Sequence, residues 1–516
     1  MLAKLRMLLC SAVTAIALGT VAMPAWSGEI DPDGTVTMAW AGPLASLDPH
    51  VVPGLADQIY LFLMYDRLTN ADSNVVIQPM LAKSWAFGDG GRTLTLQLRD
   101  DVTFHDGTPF NAEAVKVNLE RAKTVEGSTV KNVLASIESI DVVGEFEVRL
   151  NLVPGQGGDL PAVLASTAGA MISPKAIAEK RDLRTNPGDA GSGPYMPKTV
   201  TPGEGVVYVR APVKYWDAKA GLLKQFEVKF VTQAAARLNG VRAGQFDLAQ
   251  ILGTDMGPAK QLAASGQIGA YDSTTSNVQS MLLRASRPAL ENPKLRQAVA
   301  HAIDRQAISD AVFGGNCLVT DQPLVSTHWA YNKDLAGFSN YDPEKAAALV
   351  KESGIASPSF DLVFAPGSSW EPQANIIQGM LAKVGIDARL VPMPQQDGFT
   401  AFRSGQLDAF QYVVPATVDP SIMVESLLTG GYSLAPADVK DKILEMAKLG
   451  TDPSQSNDQR AATYRKLFGM AAENVWLFPI CASKAVWAHK KNVMGVDEAG
   501  WYFASLPDFR NIYVEK

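Results

Sequence analysis

Apolar and polar residues alternate strictly between positions 93 and 99, where Leu94, Leu96 and Leu98 are separated by polar side chains. A period of two is typical of a strand with one buried face, and the turn sequence Gly-Asp-Gly-Gly at 88–91 predicts that this strand belongs to a hairpin. Shorter apolar segments at 226–231 and 360–364 predict two further strands, both buried.

Apolar residues spaced three and four apart predict helices between these strands. The first helix begins after Asn111, the second opens at Asn292-Pro293, and the third starts at Asp342-Pro343 and ends at Gly354. Asparagine, aspartate and proline favour helix starts, and glycine favours helix ends. Strands and helices therefore alternate, which indicates an α/β fold.

Composition narrows the class of protein. The chain has 516 residues, of which 47% are hydrophobic and 19% charged, so it is long enough for roughly two to four folding units with large cores. Its 46 Lys and Arg are outnumbered by 53 Asp and Glu, giving a formal charge of −7, which argues against a nucleic-acid partner. A mean hydropathy of +0.01 excludes a polytopic membrane protein.

The first residues have the features of an export signal. Lys4 and Arg6 precede an uncharged stretch, and Ala25 and Ser27 place small side chains where a signal peptidase reads. We interpret residues 1–27 as a cleaved signal peptide and expect a soluble periplasmic protein; the alternative is a retained membrane anchor, because the apolar run approaches the length of a span.

A short internal sequence repeat, called the echo below, suggests two lobes of similar construction. Residues 242–250 read RAGQFDLAQ and residues 403–411 read RSGQLDAFQ. In each copy a helix is expected to end at a glycine, Gly244 or Gly405, and a short strand to follow. The alternative is coincidence, because such junctions are common in α/β proteins. If the echo is structural, Gln250 and Gln411 lie near carboxyl ends of strands, where ligands bind in open α/β sheets.

A long block then resembles a known family. Residues 79–115, PMLAKSWAFGDGGRTLTLQLRDDVTFHDGTPFNAEAV, are similar to the signature of the peptide- and nickel-type solute-binding proteins of ABC importers, family 5. Supporting segments follow in family order: LDPH at 47–50, GSGPY at 191–195, NPKLRQAVAHAIDR at 292–305, YDPEKAAALVKESG at 341–354 and VDP at 418–420. Trp85, Phe104 and Phe110 within the signature are interpreted as core residues, and His105 as a hydrogen-bonded loop residue.

The resemblance implies a two-lobed fold of the type II periplasmic-binding-protein kind with an extra domain. We expect a first lobe from residues 28–70, 190–275 and 489–516, an inserted domain at 71–189, and a second lobe at 276–488. Ligand contacts are expected at strand ends and at the crossover between lobes. The candidate contacts are Trp40, Ala41, Gln250, Ser276, Asn277, Gln279, Trp370, Gln411, Tyr412, Val413, Val414 and Asp419.

The chain departs from the peptide-binding members at 412–420, which read YVVPATVDP. Val413 stands where those members resemble one another in a tryptophan, and Ala416 where they have the carboxylate that pairs with a peptide's free amino group. A buried ammonium would lack its partner there. We therefore expect a substituted peptide, an opine-like or sugar-containing compound, or another small polar solute. Asp419 is either an acidic ligand contact or, beside Pro420, the start of a helix.

The function implied is binding without chemistry: closure of the two lobes on a solute and delivery to a membrane permease by a monomer without a cofactor. A nickel- or haem-type carrier of the same family is the alternative, although five scattered histidines show no metal spacing. A secreted hydrolase is disfavoured, because Ser128 and Lys131 of an S-x-x-K pattern lack the accompanying motifs. Cys317 and Cys481 form either a disulfide or two separate buried thiols.

Overall fold

The computed structural model describes residues 28–497, apart from 53–55, 73–74, 327 and 416, and then residues 501–502 and 506–516. The predicted signal peptide at 1–27 lies outside the described residues. Fourteen helices are numbered along this part of the chain: α1 Gln58–Met64, α2 Ala112–Thr124, α3 Leu160–Val163, α4 Pro174–Ala178, α5 Ala234–Arg242, α6 Met256–Ala264, α7 Pro293–Ala302, α8 Arg305–Phe313, α9 Pro343–Glu352, α10 Trp370–Lys383, α11 Gln395–Arg403, α12 Pro420–Val424, α13 Lys440–Thr451 and α14 Asn457–Glu473.

The described strands form one large sheet, one smaller sheet and three short pairs. The large sheet contains β1 Thr35–Trp40, β8 Tyr195–Thr201, β9 Gly205–Arg210, β10 Gln225–Phe230, β11 Leu248–Ile251, β12 Gly269–Leu283, β13 Cys317–Val319, β14 Ser359–Phe364, β15 Asp387–Pro392, β16 Ala409–Val414 and β17 Leu477–His489. The smaller sheet contains β4 Ala82–Gly88, β5 Thr93–Leu98, β6 Ile137–Gly144 and β7 Glu147–Leu152. The pairs are β2 Thr69–Ala71 with β3 Ile77–Pro79, β18 Val493–Met494 with β21 Tyr513–Val514, and β19 Trp501–Tyr502 with β20 Leu506–Pro507.

The large sheet consists of two halves with the same topology. Its order is β15-β14-β16-β12-β17-β11-β1-β10-β9-β8, with β13 added to β17. In one half β1 pairs in parallel with β10 and β11, and β11 pairs antiparallel with β17. In the other half β14 pairs in parallel with β15 and β16, and β16 pairs antiparallel with β12. These halves form the cores of the first and second lobes.

Two long strands, β12 and β17, connect the lobes. They pair with each other along their length, but the register shifts between Thr274 and Val278, where the chain passes from one lobe to the other. Residues 486–489 at the other end of β17 pair with β11 of the first lobe. The domain boundaries, including the crossover near Ser276, remain a prediction.

The sequence echo corresponds to the same structural event in both lobes. Helix α5 ends before Gly244, which has φ +78°, and β11 follows; helix α11 ends before Gly405, which has φ +79°, and β16 follows. Positive φ is the reason for glycine at both positions. The aspartates of the echo also match. The Asp247 carboxylate accepts from the backbone N of Thr37, the third residue of β1, and Asp408 accepts from the N of Asp361, the third residue of β14.

The signature block supplies strands β4 and β5 of the smaller sheet and the beginning of helix α2. The alternating leucines of β5 are buried, and α2 packs against the smaller sheet after Asn111, whose side chain accepts from the backbone N of Ala114. Phe104 and Phe110 meet edge to face in this core at 6.2 Å. His105 Nε2 hydrogen-bonds to the carbonyl of Gly193 at 2.7 Å, which is the loop role expected from the sequence.

A disulfide joins β13 to the connecting strand β17 in the second lobe. It links Cys317 with Cys481, across 164 residues of sequence. Strand β13 pairs with β17 at the same point, Cys317 opposite Ser483 and Val319 opposite Cys481. The structure thereby decides between the two alternatives that the sequence left open, and it places the bridge beside the crossover.

Candidate ligand-binding cleft

In the second lobe, three of the predicted contacts lie together although they come from distant segments. Trp370 begins helix α10, and its indole Nε1 donates to the side-chain oxygen of Gln279 on β12 at 3.0 Å. Gln411 on β16 lies against the same helix. With its amide nitrogen towards Trp370, it donates to the Trp370 carbonyl at 2.9 Å and accepts from the Ala374 N at 3.1 Å. Gln411 is fully buried, so its side chain fixes α10 to the sheet.

Residues 411–414 alternate between the two faces of β16, as strand geometry requires. Gln411 and Val413 face α10, whereas Tyr412 and Val414 face an aromatic cluster beside α11. The Tyr412 ring lies 5.2 Å from Tyr432, and burial together with Tyr432 raises the pKa of its hydroxyl. Val414 is 1% exposed and belongs to the core. The prediction of four consecutive ligand contacts conflicts with this alternation, and Val414 is better described as a packing residue.

Of the two roles that the sequence allowed for Asp419, the structure shows the start of a helix. Its carboxylate caps α12 by accepting from the backbone N of Ser421 at 3.0 Å. The same group pairs with Arg460 at 2.5 Å and accepts from the hydroxyl of Tyr464 at 3.2 Å. Asp419 and Arg460 are both buried, so the charge of this carboxylate is already compensated within the protein.

In the first lobe, Trp40 and Gln250 form their contacts with other residues of that lobe. The Trp40 ring stacks on Trp487 of β17 with centroids 6.0 Å apart, and its Nε1 donates to the Ala56 carbonyl at 3.2 Å. Trp40 is 6% exposed, and the next residue, Ala41, is partly buried. The backbone carbonyl of Gln250 accepts from Arg237, a buried side chain whose pKa burial lowers to about 10.

The predicted crossover contacts lie on β12. The carbonyl of Asn277 accepts from the Ser483 hydroxyl on β17 at 3.2 Å, which ties the two connecting strands together within the register shift. Ser276 is part of the same strand, but its side chain lies outside the described residues, as does Ala416 after β16.

Three buried polar side chains that the sequence analysis missed are further candidates for the cleft. Gln373, one turn into α10, is fully buried, and neither atom of its amide has a hydrogen-bond partner among the described residues. The hydroxyl of Thr417, in the loop after β16, is also buried without a partner among the described residues. So is the side-chain oxygen of Gln58, the first residue of α1. Buried polar groups without partners are costly, so each is a candidate for a ligand hydrogen bond.

The position of these side chains follows from the repeated topology. Helix α1 follows β1, and helix α10 follows β14, the equivalent strand of the other lobe. The N-termini of both helices therefore lie at the carboxyl ends of equivalent strands, where open α/β sheets bind ligands. The sequence offered one signal for Gln373: it is a polar residue on the apolar face of α10, beside Trp370, Ala374 and Ile377.

The histidines have structural partners instead of forming a metal site. Burial lowers the pKa of His50 to about 4, and it also lowers the pKa values of His105, His328 and His489. Each of these rings bonds to a backbone carbonyl. Within the described ranges, no three His, Cys, Asp or Glu side chains come together as metal ligands would. Nor does any described helix combine the length and apolar character of a membrane span.

Comparison with known proteins identifies the fold and the class. The family described as bacterial extracellular solute-binding proteins, family 5, middle region, matches residues 76–433. This chain belongs to that family. The resemblance predicted from the signature block is confirmed, and so is the α/β fold of two lobes with an additional domain. Family 5 proteins are the substrate-binding components of ABC transporters.

Individual relatives of this family 5 protein have diverse ligands. The glutathione-binding protein GsiB of Salmonella typhi is 26% identical over 476 residues, covering 89% of this chain and 91% of that protein. The crystal structure of NikA from Brucella suis in complex with Fe(III)-EDTA superposes with a TM-score of 0.80 at 23% identity, covering 94% of this chain and 100% of NikA. AgaA from A. tumefaciens R10, in complex with agropinic acid, also gives 0.80, at 22% identity and with 94% and 99% covered. The fold alone therefore does not specify the ligand.

Proposed function

We propose that this protein captures a small polar solute between its two lobes in the periplasm and delivers it to the permease of an ABC importer. The observation that carries the proposal is the pair of similarly built lobes joined by β12 and β17, with the register shift at 274–278 between them. Two strands are a narrow connection, so the lobes can rotate about it and close around a ligand.

We expect a solute that does not place a free, charged amino group at the end of β16. In the segment 412–420 the acidic residue is Asp419, and its charge is already taken by Arg460. The unpartnered groups nearby, Gln373 and Thr417, are neutral donors and acceptors. They suit amide, hydroxyl or carbonyl groups, as in a substituted peptide, an opine-like compound or a sugar derivative. The similarity to a glutathione-binding relative supports a peptide-like solute.

Mass spectrometry of material released from gently purified protein is the first experiment, because it identifies the solute directly. Isothermal titration should then give a dissociation constant of about micromolar or tighter, roughly −8 kcal/mol. Small-angle scattering should show a smaller radius of gyration with the solute bound. Tight binding without compaction would contradict closure of the lobes.

The missing amine partner can be tested with a matched pair of peptides. Alanyl-alanine and its N-acetylated form differ in the free ammonium group. We expect the acetylated peptide to bind at least as tightly as the free one. A clear preference for the free amine would overturn this assignment of ligand class, while leaving the binding function itself intact.

The role of Gln373 can be tested on its own helix. Replacing Gln373 by Ala should weaken binding of the identified solute by about tenfold, the effect of losing one or two hydrogen bonds. Asn375→Ala is the matched control, because Asn375 is exposed on the same helix. Equal affinities of the two variants would remove Gln373 from the site.

A further inference from the structure

A cavity lies where the inserted domain meets the second lobe. It has a volume of about 270 Å³ and is lined on one side by the loops 132–136 and 156–159 of the inserted domain. On the other side it is lined by α12, the helical turn Glu425–Thr429 that continues it, and α13. None of the candidate contacts of the ligand-binding cleft lines this cavity, although Asp419 lies next to it and accepts a hydrogen bond from the backbone N of Ser421.

The two walls are joined by hydrogen bonds of Asp159 and of the residue before it, Gly158. The hydroxyl of Ser421 on α12 donates to the Asp159 carboxylate at 2.7 Å, and the backbone N of Gly158 donates to the carbonyl of Thr451 at 2.7 Å. The cavity is therefore formed jointly by the inserted domain and the second lobe, and a ligand within it would contact both.

Two carboxylates line this cavity, those of Asp159 and Glu425. Neither forms a salt bridge with a described residue. Burial raises the pKa of both side chains, and the charge of Asp419 raises that of Asp159 further. Two arginines oppose these shifts without forming a salt bridge to either carboxylate: Arg460, which is engaged with Asp419, acts on Asp159, and Arg403 acts on Glu425. Lys448, the remaining charged lining residue, is exposed and is not within salt-bridge distance of either carboxylate.

An unpartnered hydroxyl gives a second, independent indication of a ligand. Ser136 lines the cavity from the inserted domain and is 9% exposed. Its Oγ has no hydrogen-bond partner among the described residues, whereas the neighbouring Ser421 is satisfied by Asp159. A hydroxyl can accept from an ammonium or donate to a polar group of the same ligand.

We propose that this cavity is a second binding site for a small organic cation, whose ammonium group is held by Asp159 and Glu425 while Ser136 contributes a hydrogen bond. A primary diamine or an amine-bearing solute has the required chemistry. Two carboxylates and a hydroxyl are too few protein ligands for a tightly held calcium ion, which favours an amine over a metal. Because the walls belong to two different domains, the bound cation would hold them together.

The test uses three probes of equal chain length: 1,4-diaminobutane, 1,4-butanediol and succinate. At pH 7.5 and low salt, isothermal titration should detect binding of the diamine, and neither the neutral nor the anionic compound should bind comparably. Glu425→Gln and, separately, Asp159→Asn should each weaken diamine binding by about tenfold, the loss of one charge-assisted hydrogen bond. Asp441→Asn, on the exposed side of α13, is the control with the same change in charge.

Two further measurements keep the result decisive. Ala447→Phe should fill the cavity and abolish diamine binding, with an unchanged far-ultraviolet circular dichroism spectrum as evidence of folding. Trp370→Ala alters the ligand-binding cleft and should leave diamine binding intact. No binding of the diamine at millimolar concentration, equal binding of succinate, or full binding by both carboxylate variants would each overturn the second site. Solute capture by the ligand-binding cleft would be unaffected by that outcome.

Discussion

The two lobes repeat the same strand topology and the same helix-glycine-strand junction, yet they differ in how that junction is stabilised. In both, the residue directly after the connecting strand donates its backbone N to the carbonyl of the echo aspartate: Lys490 to Asp247, and Arg284 to Asp408. In the first lobe the Asp247 carboxylate pairs with Lys490, and both groups are partly exposed. In the second lobe Asp408 is buried and pairs with Arg287.

This comparison shows what a repeated motif encodes. The echo fixes the local junction: the glycine allows the left-handed turn, and the aspartate ties the new strand to the third residue of its parallel neighbour. The terminal glutamines of the echo are identical in sequence but have different surroundings, because Gln411 bonds to α10 while Gln250 binds Arg237 through its backbone. The repeated glycines and aspartates have structural roles, so we expect ligand specificity to come mainly from residues that the lobes do not share.

The disulfide is the largest difference between the lobes, because it belongs to the second lobe alone among the described residues. Replacing Cys317 and Cys481 together by Ser should destabilise that lobe by about 2–5 kcal/mol, because the bridge closes a long loop of the unfolded chain. Differential scanning calorimetry should show the transition of the second lobe at lower temperature, with the first lobe unchanged. Wild-type protein under reducing conditions is the control. An equal shift of the whole unfolding profile would mean that the lobes unfold as one unit.

Acid should affect the two sides of the molecule unequally. His50 is buried between Arg121 and the carbonyl of Ala170, and burial together with Arg121 lowers its pKa from 6.5 to about 4. Between pH 6.5 and pH 4, His50 is therefore protonated in the unfolded chain but stays neutral in the folded protein. The contribution of His50 is complete above pH 6.5 and is lost as the pH falls towards 4, by roughly 3 kcal/mol in total. Urea titrations at pH 7, 5 and 4 should show this slope.

His328 in the second lobe is the matched control for this prediction. Burial lowers its pKa too, and a carboxylate opposes the shift in both cases, Asp419 at His328 and Asp48 at His50. Only His50 has a neighbouring arginine, Arg121, that lowers its pKa further. His50→Gln should therefore flatten the pH dependence of the free energy of unfolding more than His328→Gln does. The reverse order would show that the acid sensitivity lies in the second lobe.

The sequence was sufficient to predict much of the fold, because its signals are local. Alternation in β5, the helix starts at Asn111 and Asn292, and the two glycines of the echo each depend on a few neighbouring residues, and the structure has all of them. The disulfide could not be decided, because it depends on the pairing of β13 with a strand 164 residues away.

The candidate site was harder to predict, because it depends on which way side chains point and on which polar groups are satisfied. Trp370, Gln279 and Gln411 lie together in the structure, and their role as ligand contacts stays a prediction; Asp419 caps a helix and Val414 is buried in the core. Gln373 was missed because its amide is recognisable as unpartnered only once the packing around α10 is known. Strand ends indicate where a site lies, whereas tertiary packing decides which side chains reach it.

The smallest predicted effect tests the comparison of the junctions themselves. Asp247→Asn and Asp408→Asn both keep a side-chain oxygen that can accept from the neighbouring strand, so each removes mainly the charge pair. Asp408→Asn should cost about 1–2 kcal/mol, because its carboxylate is only 6% exposed and its interaction with Arg287 is weakly screened on that side. Asp247→Asn should cost about 0.5 kcal/mol, because its carboxylate is 19% exposed and its interaction with Lys490 is screened more by solvent. Urea denaturation at low and high salt measures both, and salt should reduce the smaller effect further. Equal costs would mean that burial does not distinguish the junctions, and the shared glycine turn would then carry their stability alone.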